Sequence, residues 1–271
     1  MNPQVTVLMS VYNEKSHLDE SIKSILNQSF SDFEFLIIDD CSNDGSNKII
    51  EEYAKKDKRI KLVRNNTNRG LSYNLAEGVD LASAPWIARM DADDIAFQNR
   101  LSTQINFIKQ NPDIDVVGSF VIDIDKSGNE IELRKVPTTH SKIAKLIWTC
   151  PFIHPTVLFR KDAIIRAGSY NRRLRRRQDY DLWFRCHAEK LKFHNLEKPL
   201  LYYRSTDDYY KKNNFKVQLQ QVKMGFSGAR MVNASPMAYL GITIAFSKGI
   251  LPYRIRKPIN RLLKNCDPRR V

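Results

Sequence analysis

The chain has 271 residues, of which 42% are hydrophobic and 27% charged, with only 10 Gly and 11 Pro and a formal net charge of +14. This composition excludes a disordered chain, a collagen-like repeat and a low-complexity tract. The four cysteines have no short pair spacing, and the amino terminus has no basic segment followed by an apolar one. We therefore expect neither a disulfide framework nor a signal peptide.

Apolar runs alternate with amphipathic segments in the first part of the chain. The predicted strands are residues 5–11, 33–38, 60–63 and 86–90. The predicted helices are residues 16–28, 46–54 and 72–82, and Ser16 is the candidate N-cap of the first. This alternation predicts an α/β fold with a mostly parallel, Rossmann-like sheet flanked by helices. Ligands bind such sheets at the carboxyl ends of the strands.

The rest of the chain alternates less regularly. Further helices are predicted at residues 99–110 and 179–190, and further strands at residues 116–123, 156–159 and 200–203. Residues 126–129 have the turn chemistry of a hairpin. Beyond Tyr209 the pattern is helical, with breaks at Pro236, Pro252 and Pro258.

Polar and acidic residues directly follow three of the predicted strands. They are Tyr12, Asn13 and Glu14, then Asp39 and Asp40, then Asp91, Asp93 and Asp94. Carboxylates two residues apart at a strand end can converge on a hard cation such as Mg²⁺ or Mn²⁺. A solvated acidic turn is an equal alternative for the last group. The pair after the second strand either shapes the following turn or accepts hydrogen bonds from a base edge.

Two helix starts carry further candidate residues. Arg69 and Gly70 precede the third helix, where a tight turn and a helix N-terminus favour a phosphate; a plain helix entry is the stronger alternative. Gln178 and Asp179 open a later helix. Acids there either stabilise the helix macrodipole, by about 0.3–1 kcal/mol, or supply a general base on a rigid element.

Five segments together resemble family 2 of the glycosyltransferases, which has the GT-A fold. They are residues 5–13, 35–46, 68–74, 90–94 and 178–183. Each is weak alone, but the five follow the family's order with compatible spacing. The resemblance implies transfer, with inversion, of a hexosyl or N-acetylhexosaminyl group from a nucleotide-sugar, usually a UDP-sugar. The implied acceptor is a saccharide or a lipid-linked oligosaccharide, as in bacterial polysaccharide and lipopolysaccharide biosynthesis.

The resemblance also implies roles for the residues at the first two strand ends. Ser10, Tyr12 and Asp40 would line the nucleoside pocket, with Asp40 reading the base edge. Glu14 and Asp39 are adjacent candidates for the same pocket.

Carried over in the same way, Arg69 would lie near the nucleotide and Asp91 would face the ribose or the metal. Asp93 would be the chief ligand of Mn²⁺ or Mg²⁺, with Asp94 supporting it, and Asp179 would be the general base. A divalent ion neutralises charge on a departing diphosphate, and a positioned carboxylate removes the proton of a weakly acidic hydroxyl. The implied set therefore suits the implied chemistry.

Some residues depart from the family pattern or extend it. Gln178 replaces the Glu that commonly precedes the base, and Thr206 stands where a His is often found. His154 lies in a family-like stretch, and we expect a structural histidine rather than an acceptor contact. The arginines at 172–177 either grip an anionic acceptor or form a solvated loop.

The excess positive charge belongs to the end of the chain. Residues 1–208 carry 31 basic and 29 acidic side chains, whereas residues 209–271 carry 13 basic side chains and one acid. We therefore expect a catalytic domain at 1–208 and a basic helical extension at 209–271. The resemblance divides the catalytic domain into a nucleotide-binding half, 1–98, and an acceptor half, 99–208.

The extension has the pattern of a membrane-associated segment. Ile255, Ile259, Leu262 and Leu263 form a helical stripe with basic flanks. This stripe is typical of a helix in the interface of an anionic membrane, with a helix packed on the domain as the alternative. We therefore expect a cytoplasmic protein that is peripheral on the inner face of the cytoplasmic membrane.

Three other classes of protein are alternatives to this interpretation. A nucleotidyltransferase also uses strand-end acids and a metal, but it needs a Gly-rich basic loop where this chain has Tyr12, Asn13 and Glu14. A sugar-nucleotide-binding protein without activity would fit the replaced Glu and His. A nucleic-acid-binding protein is disfavoured, because the strand-end carboxylates would repel phosphates.

Overall fold

A computed structural model describes residues 3–205, 215–249 and Pro268. Its strands are β1 (Val5–Val11), β2 (Phe33–Asp39), β3 (Ile60–Arg64), β4 (Trp86–Asp91), β5 (Ile95–Ala96), β6 (Val116–Ile124), β7 (Glu130–Arg134), β8 (Leu158–Arg160) and β9 (Phe193–Arg204). Its α-helices are α1 (Leu18–Leu26), α2 (Ser46–Lys56), α3 (Leu71–Leu81), α4 (Arg100–Gln110), α5 (His140–Lys145), α6 (Lys161–Arg166), α7 (Gln178–Ala188), α8 (Phe215–Met231) and α9 (Pro236–Gly249). Short 3₁₀ helices lie at Ile147–Thr149 and His154–Thr156.

These strands form one sheet with the order β3-β2-β1-β4-β8-β6-β9-β5, and β7 pairs with β6 off this path. The first four strands are parallel, with β1 between β2 and β4. β8 runs antiparallel to β4 and β6, and β9 runs parallel to β6. The expected α/β fold with a parallel, Rossmann-like core is therefore confirmed, and antiparallel strands extend that core on one side.

Helices cover both faces of the parallel strands. On α1 the spacing of Leu18, Ile22 and Ile25 places all three on one side, where they are fully buried against one face of the sheet. On α3, Leu75 and Val79 are fully buried in the layer on the other face. Burying one such side chain contributes about 1.5–3 kcal/mol. The two layers therefore hold the strand ends in a fixed register.

The structure corrects some predicted elements. Ser16 is not the N-cap of α1, because the helix begins at Leu18 and follows His17, whose ring bonds Glu14. Thr156 belongs to a 3₁₀ turn with Pro155 instead of a strand. The predicted strand at 200–203 is the end of the longer β9, and the six-residue helices α5 and α6 were not predicted.

Two helices follow the sheet, as the helical pattern beyond Tyr209 predicts. α8 packs on α7 and on α9, and both α8 and α9 contact the 3₁₀ helix Ile147–Thr149. None of the helices described is long and apolar enough to cross a membrane. The predicted stripe at 255–263, and Thr206, lie outside the described residues.

Candidate active site

The carboxyl ends of β1, β2 and β4 lie side by side. Val11 pairs with Asp39 across β1 and β2, and Ser10 pairs with Asp91 across β1 and β4. The sheet register therefore brings together the three groups of strand-end residues that the sequence singles out.

Asp40 organises the loop at residues 65–70. It is 1% exposed. Its Oδ1 accepts hydrogen bonds from the Asn65 side chain and the Arg69 backbone N–H, and its Oδ2 accepts one from the Gly70 N–H, each at 2.8 Å. Gly70 has φ +89°, a conformation that strains other residues. Three donors thus satisfy a buried carboxylate, and one acceptor position remains on Oδ2.

Ser10 belongs to the same hydrogen-bond network. The Asn74 side-chain amide donates to Ser10 Oγ at 2.9 Å, and the Asn65 amide donates to Asn74 Oδ1 at 2.7 Å. Because Asn65 also donates to Asp40, the ends of β1 and β2 and the first turns of α3 are fixed relative to one another. This network forms a rigid wall on one side of the strand ends.

Tyr12, Glu14 and Asp39 differ in their surroundings. Asp39 is buried, and its Oδ1 accepts a hydrogen bond from the Ser42 N–H at 3.0 Å, which closes the turn after β2. Glu14 is half-buried, with Oε1 2.8 Å from Nδ1 of His17. Tyr12 is 52% exposed, so its ring is available to a ligand.

Asp91, Asp93 and Asp94 form a compact acidic cluster at the end of β4. One carboxylate oxygen of each lies within 4.8 Å of those of the other two. Burial and the charges of Asp91 and Glu14 raise the pKa of the Asp93 carboxyl to about 7. Burial and the other two carboxylates raise the pKa of Asp94 well above its usual value. The cluster therefore carries more negative charge than the surrounding protein neutralises.

Two buried arginines hold this cluster. Arg89 forms an ion pair with both oxygens of Asp91. Arg204 donates its backbone N–H to Asp94 Oδ1 and its side-chain Nε–H to the Asp93 carbonyl, each at 2.8 Å. A residue 110 positions away in the chain thus fixes the backbone of the acidic turn.

The acidic cluster fits a divalent cation of the Mg²⁺ or Mn²⁺ class. Such ions take oxygen ligands, commonly a few carboxylates completed by phosphate and water. Asp94 Oδ2 is buried and has no hydrogen-bond partner among the described residues. Carboxylates have unpartnered oxygens and raised pKa values when the surrounding protein supplies too little positive charge. Asp94 Oδ2 and the pKa of Asp93 fit that description.

Asp179 lies half-buried in the first turn of α7. The Cys150 thiol donates to Asp179 Oδ2 at 3.4 Å. Burial raises the pKa of the Tyr170 hydroxyl, and the charges of Asp179 and Asp91 add to that shift. Tyr170 is therefore within electrostatic reach of both the acidic cluster and the candidate base.

His154 has the surroundings that a structural histidine would have. It is buried, and its Nε2 lies 2.8 Å from the Tyr170 hydroxyl. Burial, together with the charge of Arg89, lowers the pKa of His154 well below its usual value. A buried, neutral ring that bonds Tyr170 is typical of a structural histidine, and little of its surface is open to an acceptor.

Part of the arginine run contacts α3 and the loop before it. Arg172 Nη2 lies 2.5 Å from Asp80 Oδ2, and its guanidinium stands over the Tyr73 ring at 5.0 Å from the centroid. Arg175 Nη1 donates to Asn68 Oδ1 at 3.3 Å. Both side chains are exposed, as in a solvated loop, and each has a partner on the α3 side; the acceptor grip stays a prediction.

Sequence reasoning assigned no role to three residues that organise the site. The importance of Arg89 could be predicted from the sequence, because a charge inside the largely apolar strand β4 requires a buried partner. The contacts of Asn65 and Arg204 could not be predicted from the sequence. Their partners, Asp40 and the acidic turn, are far away in the sequence, and only the fold brings them together.

The family model and the relatives found by comparison with known proteins are all glycosyltransferases. The family described as Glycosyl transferase family 2 matches residues 6–188. An uncharacterised glycosyltransferase of Methanocaldococcus jannaschii is 39% identical over 213 residues, 76% of this chain and 73% of that protein. The putative glycosyltransferase EpsE of Bacillus subtilis is 31% identical over 253 residues, 92% of this chain and 90% of that protein.

Solved structures share the fold at low sequence identity. Crystalline TarS 1–349 of S. aureus superposes with a TM-score of 0.69 at 19% identity, covering 90% of this chain and 73% of that one. A mannosyltransferase of Pyrobaculum calidifontis superposes with a TM-score of 0.65 at 15% identity, covering 91% of this chain and 70% of that one. These likenesses establish the fold.

Proposed function

The chain belongs to glycosyltransferase family 2 and is a glycosyltransferase with the GT-A fold, and from this premise we propose its reaction. It transfers a hexosyl or N-acetylhexosaminyl group from a UDP-sugar to a hydroxyl of a saccharide or lipid-linked acceptor, with inversion. The acidic cluster at the end of β4, with its incompletely neutralised charge, carries this proposal. Residues 1–98 bind the donor, residues 99–208 bind the acceptor, and residues 209–271 form an extension.

The proposed nucleoside pocket lies at the ends of β1 and β2. The exposed ring of Tyr12 suits stacking on a base, and the remaining acceptor position on Asp40 Oδ2 suits a base N–H. Arg69, whose guanidinium is 4.5 Å from the Tyr73 ring centroid, supplies positive charge for the nucleotide. TarS has been solved with UDP-GlcNAc, and the mannosyltransferase with GDP-Man and Mn²⁺. A GDP-sugar is therefore the alternative donor.

Asp93 is the chief ligand of the proposed Mn²⁺ or Mg²⁺, and Asp91 and Asp94 support it. The bound ion would neutralise charge on the diphosphate leaving group. Arg89 and Arg204 keep the three carboxylates in place, since they hold one side chain and the backbone of the turn. The protein thus orients ligands whose mutual repulsion would otherwise spread them.

Asp179 is the proposed general base. Its carboxylate takes the proton of the acceptor hydroxyl as the hydroxyl oxygen bonds to the anomeric carbon of the donor. The bond from that carbon to the nucleoside diphosphate breaks, and the electron pair leaves with the diphosphate. Because attack and departure occur on opposite faces, one displacement inverts the anomeric centre. The Cys150 thiol, 3.4 Å from Oδ2, helps to orient the base.

The proposed acceptor belongs to polysaccharide biosynthesis. Two curated relatives are named for O-antigen and amylovoran biosynthesis. A lipid-linked oligosaccharide would place the reaction at the inner face of the cytoplasmic membrane, which agrees with the basic extension. The competing functions are a nucleotidyltransferase and a donor-binding protein without transfer.

A panel of nucleotide-sugars tests this proposal. Thermal shift and release of free nucleoside diphosphate are measured for each donor, with and without Mn²⁺. We expect one UDP-sugar to raise the Tm in the presence of Mn²⁺ and to be hydrolysed slowly. Asp179→Asn should keep the donor shift and lose transfer, because the base acts on the acceptor.

Each alternative gives a different result in that panel or in a parallel reaction with a nucleoside triphosphate and a sugar phosphate. Release of pyrophosphate from a nucleoside triphosphate and a sugar phosphate would identify a nucleotidyltransferase. A donor shift without turnover under any condition would identify a binding protein. Full activity of Asp179→Asn would reject the assigned base.

A further inference from the structure

The solvent-facing side of α9 is uncharged from Pro236 to Ser247. The helix has no charged residue between Pro236 and Ser247. Met237, Leu240 and Ile244 share one helical side and are 68%, 52% and 46% exposed. A surface helix of a globular protein normally turns charged and polar residues to solvent. An exposed apolar row of this length instead marks an interaction site.

A second apolar row lies along α8. Phe215, Leu219 and Phe226 share one side of that helix and are exposed. The ring of Phe226 lies 5.8 Å from that of Tyr239, and the ring of Phe215 lies 6.2 Å from that of Phe246, so this row borders α9. We call the two rows together the apolar hairpin face: Phe215, Leu219, Phe226, Met237, Leu240 and Ile244.

The two helices that bear the apolar hairpin face carry basic residues and no acidic ones. Residues 215–249 include no acid, and residues 209–271 include one against 13 basic residues. Lys223 and Arg230 are exposed on α8, each four positions after a member of the apolar row and thus on the same side. An apolar row flanked by lysine and arginine is the composition of a helix that lies in the interface of an anionic bilayer.

The hairpin is packed tightly against the part of the fold that bears the candidate base. A Cβ on Gly228 would lie 2.3 Å from the Phe184 ring of α7, so the helices touch closely there. A Cβ on Gly241 would lie 2.2 Å from the Trp148 ring. Because α7 carries Asp179 in its first turn, a surface that holds α8 and α9 also holds Asp179 at a set distance.

We propose that α8 and α9 lie in the interface of an anionic lipid bilayer, with the apolar hairpin face inserted and Lys223 and Arg230 at the headgroups. Docking in this way presents Asp179 at a fixed height to an acceptor that is anchored in the same bilayer. This last consequence rests on the proposed function, whereas the docking does not. A second copy of the chain is a poorer occupant, because a symmetric contact would oppose two strongly basic segments.

Vesicle flotation of the full chain tests the docking. The vesicles contain phosphatidylglycerol with phosphatidylcholine, or phosphatidylcholine alone. Met237→Glu/Leu240→Glu should weaken binding to the anionic vesicles by at least about tenfold, since it places charge in the inserted row. Lys223→Glu/Arg230→Glu should weaken it by at least about 25-fold, since each variant position loses a basic residue worth about fivefold and gains an acid.

The matched control introduces the same two charges elsewhere. Leu81→Glu/Ile165→Glu alters two apolar residues of similar exposure, 50% and 45%, on α3 and α6. This variant should float like the wild type. Equal flotation of the wild type and the Met237/Leu240 variant would overturn the proposal. A wild type that ignores vesicles but forms a dimer, with the same variant monomeric, would also overturn it and assign the face to self-association.

Donor binding is measured on the same preparations, so the two proposals fail separately. The UDP-sugar thermal shift should be the same for the wild type and all three double variants. A wild type that floats but binds no nucleotide-sugar would keep the docking and reject the proposed reaction. A wild type that binds donor but not anionic vesicles would do the reverse.

Discussion

Two acidic groups follow buried parallel strands that lie on either side of β1, and their carboxylates are held in opposite ways. Asp40, after β2, receives hydrogen bonds from one side chain and two backbone N–H groups. Asp93 and Asp94, after β4, lie against each other and against Asp91, and burial with these like charges raises the pKa of both. In the sequence the two groups look similar, because each is a set of aspartates directly after an apolar strand. The difference lies in what the following chain brings to them, donors at one strand end and further acids at the other.

This contrast separates two functions for an acid at a strand end. A carboxylate with hydrogen-bond donors on both oxygens, such as that of Asp40, forms one wall of the site and fixes a loop. A carboxylate among like charges, such as that of Asp93, has free capacity for a ligand that brings positive charge. Substituting one member of either group, and measuring stability and ligand binding on the same variant, tests this separation.

The largest effect is expected at Asp93. Asp93→Asn should abolish the Mn²⁺-dependent thermal shift and lower the transfer rate by about 10²–10³-fold, several kcal/mol of transition-state stabilisation. The pKa of Asp93, raised to about 7, means that ionisation opposes folding as the pH rises above 3.8. The metal-free variant should therefore have a higher Tm than the metal-free wild type at pH 8. A lower Tm with retained Mn²⁺ binding would contradict both the ligand role and the charge argument.

The opposite outcome is expected at Asp40. Asp40→Asn leaves one oxygen to serve three donors, including the N–H groups of Arg69 and Gly70. Loss of a hydrogen bond to a charged group costs about 1.5–3 kcal/mol, so denaturant unfolding should show destabilisation of that order. The donor KM should rise while the Mn²⁺ shift persists. Loss of the Mn²⁺ shift would mean that the two acidic groups are not independent.

A smaller effect is expected from the loop that Asp40 holds. Gly70 has φ +89° and ψ 157°, and an added Cβ would lie 2.6 Å from Nη1 of Arg175. Gly70→Ala should therefore destabilise the protein by about 1–3 kcal/mol through backbone strain. It should also displace Arg175 and raise the donor KM without changing the acceptor KM.

Gly128→Ala is the matched control for that loop variant. Gly128 also has φ +89°, but its added Cβ would meet nothing within 4 Å. It should show strain without any change in donor KM. Arg175→Ala should reproduce the kinetic effect without the strain. A rise in acceptor KM with Arg175→Ala would instead support the acceptor grip, which is one of the two alternatives that the sequence offers for the arginine run.

Local pattern was enough to predict the parallel half of the fold. β1 to β4 and α1 to α3 combine apolar runs with a clear helical period, and each lies within a few residues of its predicted bounds. β9 was predicted only at its end, because His194, Asn195 and Glu197 interrupt the apolar pattern earlier in the strand. His194 and Asn195 pair with β6, a contact between distant segments, and Glu197 lies where the register of that pairing shifts.

The same limit applies to the candidate site. Acids at strand ends could be predicted from the sequence, because the carboxyl ends of parallel strands meet. Which of them are satisfied could not be predicted. Asn65 completes Asp40, and Arg204 reaches Asp94 only after the chain returns through β9. The proposed role of Asp179 comes from the resemblance, and its contact with the Cys150 thiol is visible only in the fold.

The smallest effect tests whether hydrogen bonding and charge balance decide the behaviour of a buried acid elsewhere. Burial alone would raise the pKa of Glu34, but hydrogen bonds from Lys61, Thr6 and Ser83 outweigh it and hold that pKa at about 2, below the usual 4.5. Glu34 therefore resembles Asp40 in its partners and is the reverse of Asp93.

A depressed pKa stabilises the fold above pH 4.5, and that contribution is lost as the pH falls towards 2. Glu34→Gln keeps an acceptor for Thr6 and Ser83 but does not titrate. Its Tm should therefore fall less than that of the wild type between pH 5 and pH 3, by about 2–4 °C for each kcal/mol removed from the pH dependence. Glu52 is exposed on α2, and Glu52→Gln is the matched control. Its Tm should fall between pH 5 and pH 3 by the same amount as the Tm of the wild type. Parallel acid profiles for the wild type and Glu34→Gln would mean that hydrogen-bond donors do not set the charge state of buried acids in this sheet.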